Sequence, residues 1–185
     1  MLKWNQMEQT EEANGMDKWD ARFMQMAEVI SGWASCYQQD RKIGAVIVKN
    51  KRIMTTGYNG APAGIRTCVE RGECLRKKQG IASGTRAEIC YAIHAEQNAI
   101  IQAARLGVSI DGATLYCTHQ PCVICAKMIV NAGIRRVVYK HGYPDDFAVE
   151  MLREGGVLLE RFEDDGDDAN DSANNEENRK ENTEE

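Results

Sequence analysis

Two short runs carry side chains that can do chemistry together. One is Ile93-His94-Ala95-Glu96-Gln97-Asn98-Ala99-Ile100, the other Gln120-Pro121-Cys122-Val123-Ile124-Cys125. Alone, a His-x-Glu pair is common on a solvated helix face, and a Cys-x-x-Cys pair serves as a redox couple or as two small core residues. Together they offer one imidazole and two thiolates, the donor set of a catalytic zinc that keeps its fourth position for water. Two thiolates and a neutral imidazole cancel the charge of Zn²⁺, and the metal lowers the pKa of its water toward neutrality. Pro121 suits the entry of a helix, and a helix N-terminus favours anionic thiolates at Cys122 and Cys125. Glu96 lies two residues beyond His94, so on a helix it points away from the imidazole. That suits a carboxylate that does not ligate the metal but reaches the water beside it.

The elements that must position these side chains are legible in outline. Asp17 is predicted to cap a helix running to about Tyr37, with Trp19, Phe23, Met26, Ala27, Ile30 and Trp33 as its buried stripe. Residues 43–48 form an apolar strand, Lys49-Asn50-Lys51 a turn, and Arg52 to Gly57 a second strand. The loop Tyr58-Asn59-Gly60-Ala61-Pro62-Ala63-Gly64 breaks regular structure. Residues 65–90 read as an irregular, cysteine-containing insertion with short helices. A helix from Glu88 to Leu106 carries the His-x-Glu pair and stops at Gly107. Strand Ala113 to Thr118 delivers the second motif, followed by helix Cys122 to Ala132, strand 136–139, helix Asp145 to Glu154 and an edge strand over 157–160. Strands alternating with helices imply a layered α/β domain.

The chain has 185 residues and a net charge of −5, unevenly spread. Residues 163–185 hold eleven acidic and two basic side chains, a net −9, and residues 1–162 hold 17 acidic and 21 basic, a net +4. The domain is therefore expected over 17–162, between a polar lead over 1–16 and an acidic tail over 163–185 that lack the apolar residues to fold. A charge run of this kind is ordinarily solvated. The mildly basic body accommodates an anionic ligand such as a nucleotide, without the footprint expected for long nucleic acid. No apolar run approaches the length of a membrane span and nothing resembles a signal peptide. Seven cysteines, an odd number, point to metal ligands or free thiols in a reducing, cytoplasmic setting.

With the His-x-Glu and Pro-Cys-x-x-Cys halves in register, the chain resembles the cytidine deaminase superfamily. Within it, roughly residues 17–160 are most similar to deoxycytidylate (dCMP) deaminases of bacterial and phage type. The resemblance rests on Gly57-Tyr58-Asn59-Gly60, His94-Ala95-Glu96, Thr118-His119-Gln120-Pro121-Cys122, Cys125 and His141-Gly142-Tyr143-Pro144. It implies a three-layer α/β fold with a five-stranded mixed sheet flanked by helices, assembled as a homo-hexamer. The implied activity is hydrolysis of dCMP to dUMP and ammonia, with dCTP and dTTP as effectors and Mg²⁺ accompanying them. It also implies zinc on His94, Cys122 and Cys125, and proton transfer by Glu96. Substrate contacts would come from Asn59 to the sugar, the Ala95 N–H to the base carbonyl, and His119 and Tyr143 near the base or phosphate. For the phosphate, the N–H groups of Gly60 and Ala61 and the cations Arg66 and Lys42 stand as alternatives.

Cys117 reads as a small buried strand residue. Cys36, Cys68, Cys74 and Cys90 are left over, three of them in the insertion, which has few apolar residues to hold it. A second, structural zinc would supply that stability, as some dCMP deaminases have by resemblance. Reduced buried thiols are the alternative. Other functions share the same motif halves: a tRNA adenosine deaminase, which calls for a more basic surface, and another base or pterin deaminase. A non-enzymatic nucleotide-sensing or DNA-uptake accessory module would have no use for Glu96 beside an open metal position.

Overall fold

The computed structural model describes residues 17–82, 86–143 and 145–163. The lead, residues 83–85, Pro144 and the acidic tail beyond Glu163 lie outside them. Helix α1 (Lys18–Ser31) starts at Asp17, whose carboxylate accepts from the N–H groups of Trp19 and Asp20, while the Asp20 carboxylate accepts in return from the Asp17 N–H. Strands β1 (Gly44–Lys49) and β2 (Arg52–Tyr58) form a hairpin. Its two turn residues, Asn50 and Lys51, both have positive φ (53° and 59°), the backbone that matches the twist of paired strands. Two four-residue helices follow, α2 (Cys68–Arg71) and α3 (Leu75–Lys78), then α4 (Ala95–Leu106). Strand β3 (Thr114–His119), helix α5 (Val123–Asn131), strand β4 (Arg136–His141), helix α6 (Asp146–Glu154) and strand β5 (Leu158–Arg161) complete the order.

The sheet runs β2-β1-β3-β4-β5, antiparallel among its first three strands and parallel among its last three. The five-stranded mixed sheet expected from the resemblance is present. Alternation along the strands sorts side chains to two faces. Ala45, Ile47, Leu115, Cys117 and Val137 pack against α4, α5 and α6. Val46, Val48, Tyr116 and Val138 pack against Phe23, Met24, Ala27 and Ile30 of α1. The result is three layers with the sheet in the middle.

Two glycines set how closely helices approach it. A Cβ at Gly57 would lie 2.1 Å from the Ala95 carbonyl oxygen, and one at Gly44 would lie 2.0 Å from the Ala27 oxygen. The hydroxyl of Thr55 donates to the Ala99 carbonyl (3.0 Å), a further tie between β2 and α4. On the other face, Arg136 forks onto Asp20 (2.6 and 3.0 Å), and Tyr116 donates to the same carboxylate (2.7 Å). Burial alone would raise the Asp20 pKa, but the bonds from Arg136 and Tyr116 outweigh it and hold the carboxyl below its ordinary value.

Two sequence expectations shift. Helix α1 ends at Ser31, not near Tyr37. Gly32 is a poor helix former, and the chain must turn so that the Ser35 N–H can donate to the Asn59 carbonyl (3.3 Å). Trp33 is consequently 60 % exposed and stands edge-on to Tyr58, and Met26 is also exposed, so neither belongs to the buried stripe. The His-x-Glu helix begins at Ala95 rather than Glu88, after a 3₁₀ turn at Ala87–Ile89. Ile93 pairs with Gly60 as an isolated antiparallel bridge, which keeps the chain extended up to His94.

The Gly57 contact yields an expectation. Gly57→Ala should cost roughly 1–3 kcal/mol in chemical denaturation, the usual penalty of overpacking. Gly142→Ala, with nothing within 4 Å of its added carbon, should change stability little. Equal midpoints for the two variants would show that the approach of α4 to β2 is not tight.

Candidate metal centre and active site

His94 is the N-cap of α4 and Cys122 the N-cap of α5. The two helix N-termini meet at one point. The sequence reading put His94 on the helix; the bridge to Gly60 instead leaves it just outside, with extended backbone (φ −69°, ψ 156°). The Gln97 side chain accepts from the His94 N–H (3.0 Å) and fixes that entry. Pro121 is fully buried ahead of Cys122. Asp145 ties α5 to α6, accepting from the Val123 N–H and the Ala148 N–H, both at 2.9 Å. Sequence reading starts that helix, α6, at Asp145, which the structure makes its N-cap. Its second bond, across 22 residues, is set only by packing.

Three ligand atoms converge. His94 Nδ1 lies 3.5 Å from Cys122 Sγ and 3.4 Å from Cys125 Sγ, and the sulfurs are 3.7 Å apart. A tetrahedral zinc with its usual bond lengths needs edges of about 3.7 Å between sulfurs and about 3.5 Å from sulfur to nitrogen. The triangle fits that ion without rearrangement. Among the described residues it is the one group of three or more such ligands with all donor atoms within 4.8 Å of one another. With Nδ1 facing the sulfurs, the ligating tautomer carries its proton on Nε2. The Cys125 thiol donates to Cys122, which together with His94 pulls the Cys122 pKa down to about 4; Cys125 is held up by the same bond and by burial. His94 is pushed up, chiefly by its bond to Cys122.

Glu96 lies in the first turn of α4, buried, and it does not join the ligand triangle. Its Oε2 has no hydrogen-bond partner among the described residues. Burial raises its pKa, with His94 pulling the other way. A carboxyl whose affinity for a proton is raised is suited to take one and give it back. Cys117, fully buried behind it, is pushed well up by burial and then by Glu96, in keeping with a packed thiol.

The remaining candidates divide. Asn59 is buried and engaged at both ends of its amide: Oδ1 accepts from the Ile43 N–H (2.8 Å) and Nδ2 donates to the Arg41 carbonyl (2.7 Å). It clips the strand entry to the loop. The Gly60 N–H, a phosphate candidate, already donates to the Ile93 carbonyl (3.2 Å). Arg66 donates to the Glu70 carbonyl on α2, and Lys42 closes the 3₁₀ turn Gln39–Arg41. Ala61 stands in a shallow cavity lined by Pro62, Ala63, Arg66 and Thr67. Ala95 is fully buried at the first position of α4. His119 ends β3 with its ring 5.1 Å from that of His141. Burial, then His141 and Arg41, lower its pKa to about 4, so it is neutral at pH 7. Tyr143 follows β4, its N–H donating to Gln120 Oε1 (3.5 Å). Its phenol is raised by burial and then by the charge of Cys122. Arg41 and Arg76, which the sequence reading passed over, both act electrostatically on Tyr143, and Arg76 also on His94. Neither stands in a motif: Arg41 ends a 3₁₀ turn and Arg76 lies on α3, and the sequence does not show that these segments approach the site.

Cys36, Cys68, Cys74 and Cys90 also come together, from four separate segments. Burial raises Cys36 and Cys68, and each is then raised by the charges of Cys90 and Cys74. No three of these sulfurs approach one another within 4.8 Å.

Comparison with known proteins places this geometry in a class. The profile of the cytidine and deoxycytidylate deaminase zinc-binding region matches residues 17–141, and the chain belongs to that family. Deoxycytidylate deaminase of Schizosaccharomyces pombe is 37% identical over 145 residues, covering 78% of this chain and 44% of that protein. ComE operon protein 2 of Bacillus subtilis is 37% identical over 146 residues, covering 78% of this chain and 71% of that protein. The crystal structure of dCMP deaminase from the cyanophage S-TIM5 in complex with dCMP and dUMP superposes with a TM-score of 0.66 at 33% identity, over 80% of this chain and all of that one. The chain spans less than half the length of the fission-yeast relative.

The partnerless Glu96 oxygen gives an expectation for stability. Replacing the buried carboxyl by a neutral amide relieves desolvation, so Glu96→Gln should retain metal content and melt at the same temperature or higher. A variant that melts several degrees lower, or loses metal, would make Glu96 a structural or ligating group.

Proposed function

We propose that the protein catalyses zinc-dependent hydrolytic deamination of dCMP to dUMP and ammonia. The observation that carries this reading is the buried, non-ligating Glu96 beside a His-Cys-Cys triangle of zinc dimensions. Zinc held by His94, Cys122 and Cys125 supplies a water of lowered pKa and a positive charge beside the reacting carbon. Glu96 takes the proton that the attacking water gives up and delivers it to ring N3 as C4 becomes tetrahedral. It then carries a proton to the departing amine, so the C4–N4 bond breaks with ammonia as the leaving group. The Ala95 N–H, at the start of α4, donates to the base carbonyl on this reading. His119 and Tyr143, at the ends of adjacent parallel strands, border the same end of the sheet, where open α/β folds bind ligands. Asn59 acts on the sugar through the loop it holds as well as through its amide.

By the resemblance stated above, the chain works as a homo-hexamer in the cytoplasm, supplies dUMP for thymidylate synthesis and answers to dCTP and dTTP with Mg²⁺. No helix among the described residues is long and apolar enough to cross a membrane. A tRNA adenosine deaminase would need a more basic surface than a body of net +4. An accessory module without activity has no reason to bury a carboxylate beside an open ligand position. The second zinc belongs to the same proposal: Cys36 and Cys68 each feel the charges of Cys74 and Cys90, so the four remaining cysteines are neighbours.

Two experiments test the proposal. Glu96→Ala should lower kcat by roughly 10²–10⁴-fold or more while dCMP, set beside CMP, deoxycytidine and an adenosine-bearing tRNA stem-loop, is the best substrate of the native protein. Discrimination against the nucleoside should be large, since groups that pair with a phosphate are left unpaired without it. Equal rates on dCMP and deoxycytidine, or turnover of the stem-loop alone, would replace the reading. For the second site, atomic absorption on protein purified without chelator should find two zincs per chain. One zinc, with Cys36, Cys68, Cys74 and Cys90 all modified by a thiol probe in the folded protein, would leave those four as plain thiols.

A further inference from the structure

We propose that Thr118 locks His119 in one tautomer, so that the imidazole presents a neutral Nε2–H donor to the phosphate of the substrate. This rests on the reading of the site as a nucleotide deaminase, and it names a group that would separate a nucleotide from a nucleoside. The lock starts from a buried hydroxyl that is engaged twice. Thr118 is 5 % exposed. Its Oγ1 accepts from the Gly44 N–H (3.2 Å) and lies 3.2 Å from His119 Nδ1. Gly44 comes opposite Thr118 because β1 and β3 run antiparallel, with Ala45 paired to Cys117. A backbone N–H can only donate, so at that bond the hydroxyl is the acceptor and its own hydrogen is left to place. Among the described residues, the acceptor within its reach is His119 Nδ1. Nδ1 therefore accepts, and the ring proton sits on Nε2. The reverse arrangement, with Nδ1–H donating to Oγ1, would bury the hydroxyl hydrogen without an acceptor, which costs free energy.

The place of His119 in the fold decides what this donor meets. Residues two apart on a strand share a face, so His119 lies on the side of Cys117, which packs among the helices beside Glu96. It stands about 7 Å farther along β3, at the end of the sheet where open α/β folds bind ligands. His141, its partner on β4, braces the ring at 5.1 Å, and the Gln120 N–H donates to the His141 carbonyl (2.9 Å). Among the described residues, His119 Nε2 has no hydrogen-bond partner. With C4 of the base held at the metal and Glu96, the sugar and phosphate extend toward this end of the strands. A sugar hydroxyl both donates and accepts, whereas phosphate oxygens are strong acceptors. A ring fixed as a donor matches the phosphate. Burial, ahead of His141 and Arg41, keeps the ring uncharged at pH 7, so the tautomer and not a positive charge sets what it recognises.

Nitrogen-15 labelling of histidine reads the tautomer directly, and the chain has only 3 histidines to assign. In the zinc-loaded native protein, His119 should show a protonated Nε2 and a bare Nδ1. Adding dUMP, the product on this reading, should shift the His119 Nε2–H resonance, and deoxyuridine should not. Thr118→Val removes the hydroxyl and should admit the Nδ1–H tautomer, while Thr118→Ser should keep the native one. The kinetic readout is the ratio of kcat/KM on dCMP to kcat/KM on deoxycytidine. It should fall roughly 10–100-fold in Thr118→Val and in His119→Phe, the scale of one hydrogen bond to a charged group, and recover in Thr118→Ser. Should Thr118→Val fail to fold for want of a partner to the Gly44 N–H, His119→Phe and the native spectrum carry the test. A native His119 protonated at Nδ1, a resonance that answers deoxyuridine as it answers dUMP, or an unchanged ratio in His119→Phe overturns the inference and leaves the deaminase reading standing. If the native protein turns over neither dCMP nor deoxycytidine, the deaminase reading fails instead. The tautomer, and the response of its resonance to dCMP against deoxycytidine, then decide the inference alone.

Discussion

The structure depends on holding two helix N-termini against one point. The start of α4 brings His94 and Glu96, and the start of α5 brings Cys122 and Cys125. Each N-terminus carries partial positive charge from unpaired N–H groups, so two of them face to face repel unless negative charge lies between. The Cys122 sulfur, favoured as thiolate by the Cys125 thiol and by His94, answers that need. What forces the helices together lies away from the site: the missing side chain at Gly57 under α4, the Thr55 bond to Ala99, and Asp145 holding α5 to α6. The ligand triangle is the outcome of packing on the sheet.

Glu96 shows what the site gives up in stability. A buried carboxyl with a partnerless oxygen costs free energy in the resting fold, and nothing in the core is improved by it. The rest of the domain tolerates that cost through ordinary means: alternating strand burial on both faces, and the Asp20–Arg136–Tyr116 network that locks α1 to the sheet. In the network every partner is satisfied, so a buried charge is stable there, whereas at Glu96 the open valence is left for a ligand's proton.

The segment between β2 and α4 joins the two halves of the protein's chemistry. Helix α2 starts on a cap supplied by Thr67 and buries only Cys68, and α3, with no side-chain cap at Cys74, buries nothing. Arg71 stacks on Tyr91 at 4.1 Å, which braces the segment against the stretch leading into His94. A region with so little core of its own needs another source of order. Cys36, Cys68, Cys74 and Cys90 lie around it, near enough for the charges of Cys74 and Cys90 to act on Cys36 and Cys68.

The sequence by itself determined the five strands, the order of helices and the His-Cys-Cys set that the fold brings together. Each of those rests on local information: alternation of apolar residues, helical spacing, and two motifs whose residue types suit one metal. It misjudged α1 beyond Gly32 and the start of the His-x-Glu helix, because both boundaries are set by contacts across the fold, Ser35 with Asn59 and Gly60 with Ile93. The motif marks Asn59 as a substrate contact; that its amide also bonds to Arg41 and Ile43 of the strand entry is visible only in the structure. Arg41, Arg76 and the cross-helix bond of Asp145 were invisible for the same reason. Tertiary structure alone decided which side chains share the end of the sheet, because proximity between residues 41, 76, 94, 122 and 143 is created by strand pairing and helix packing, and no local pattern encodes it.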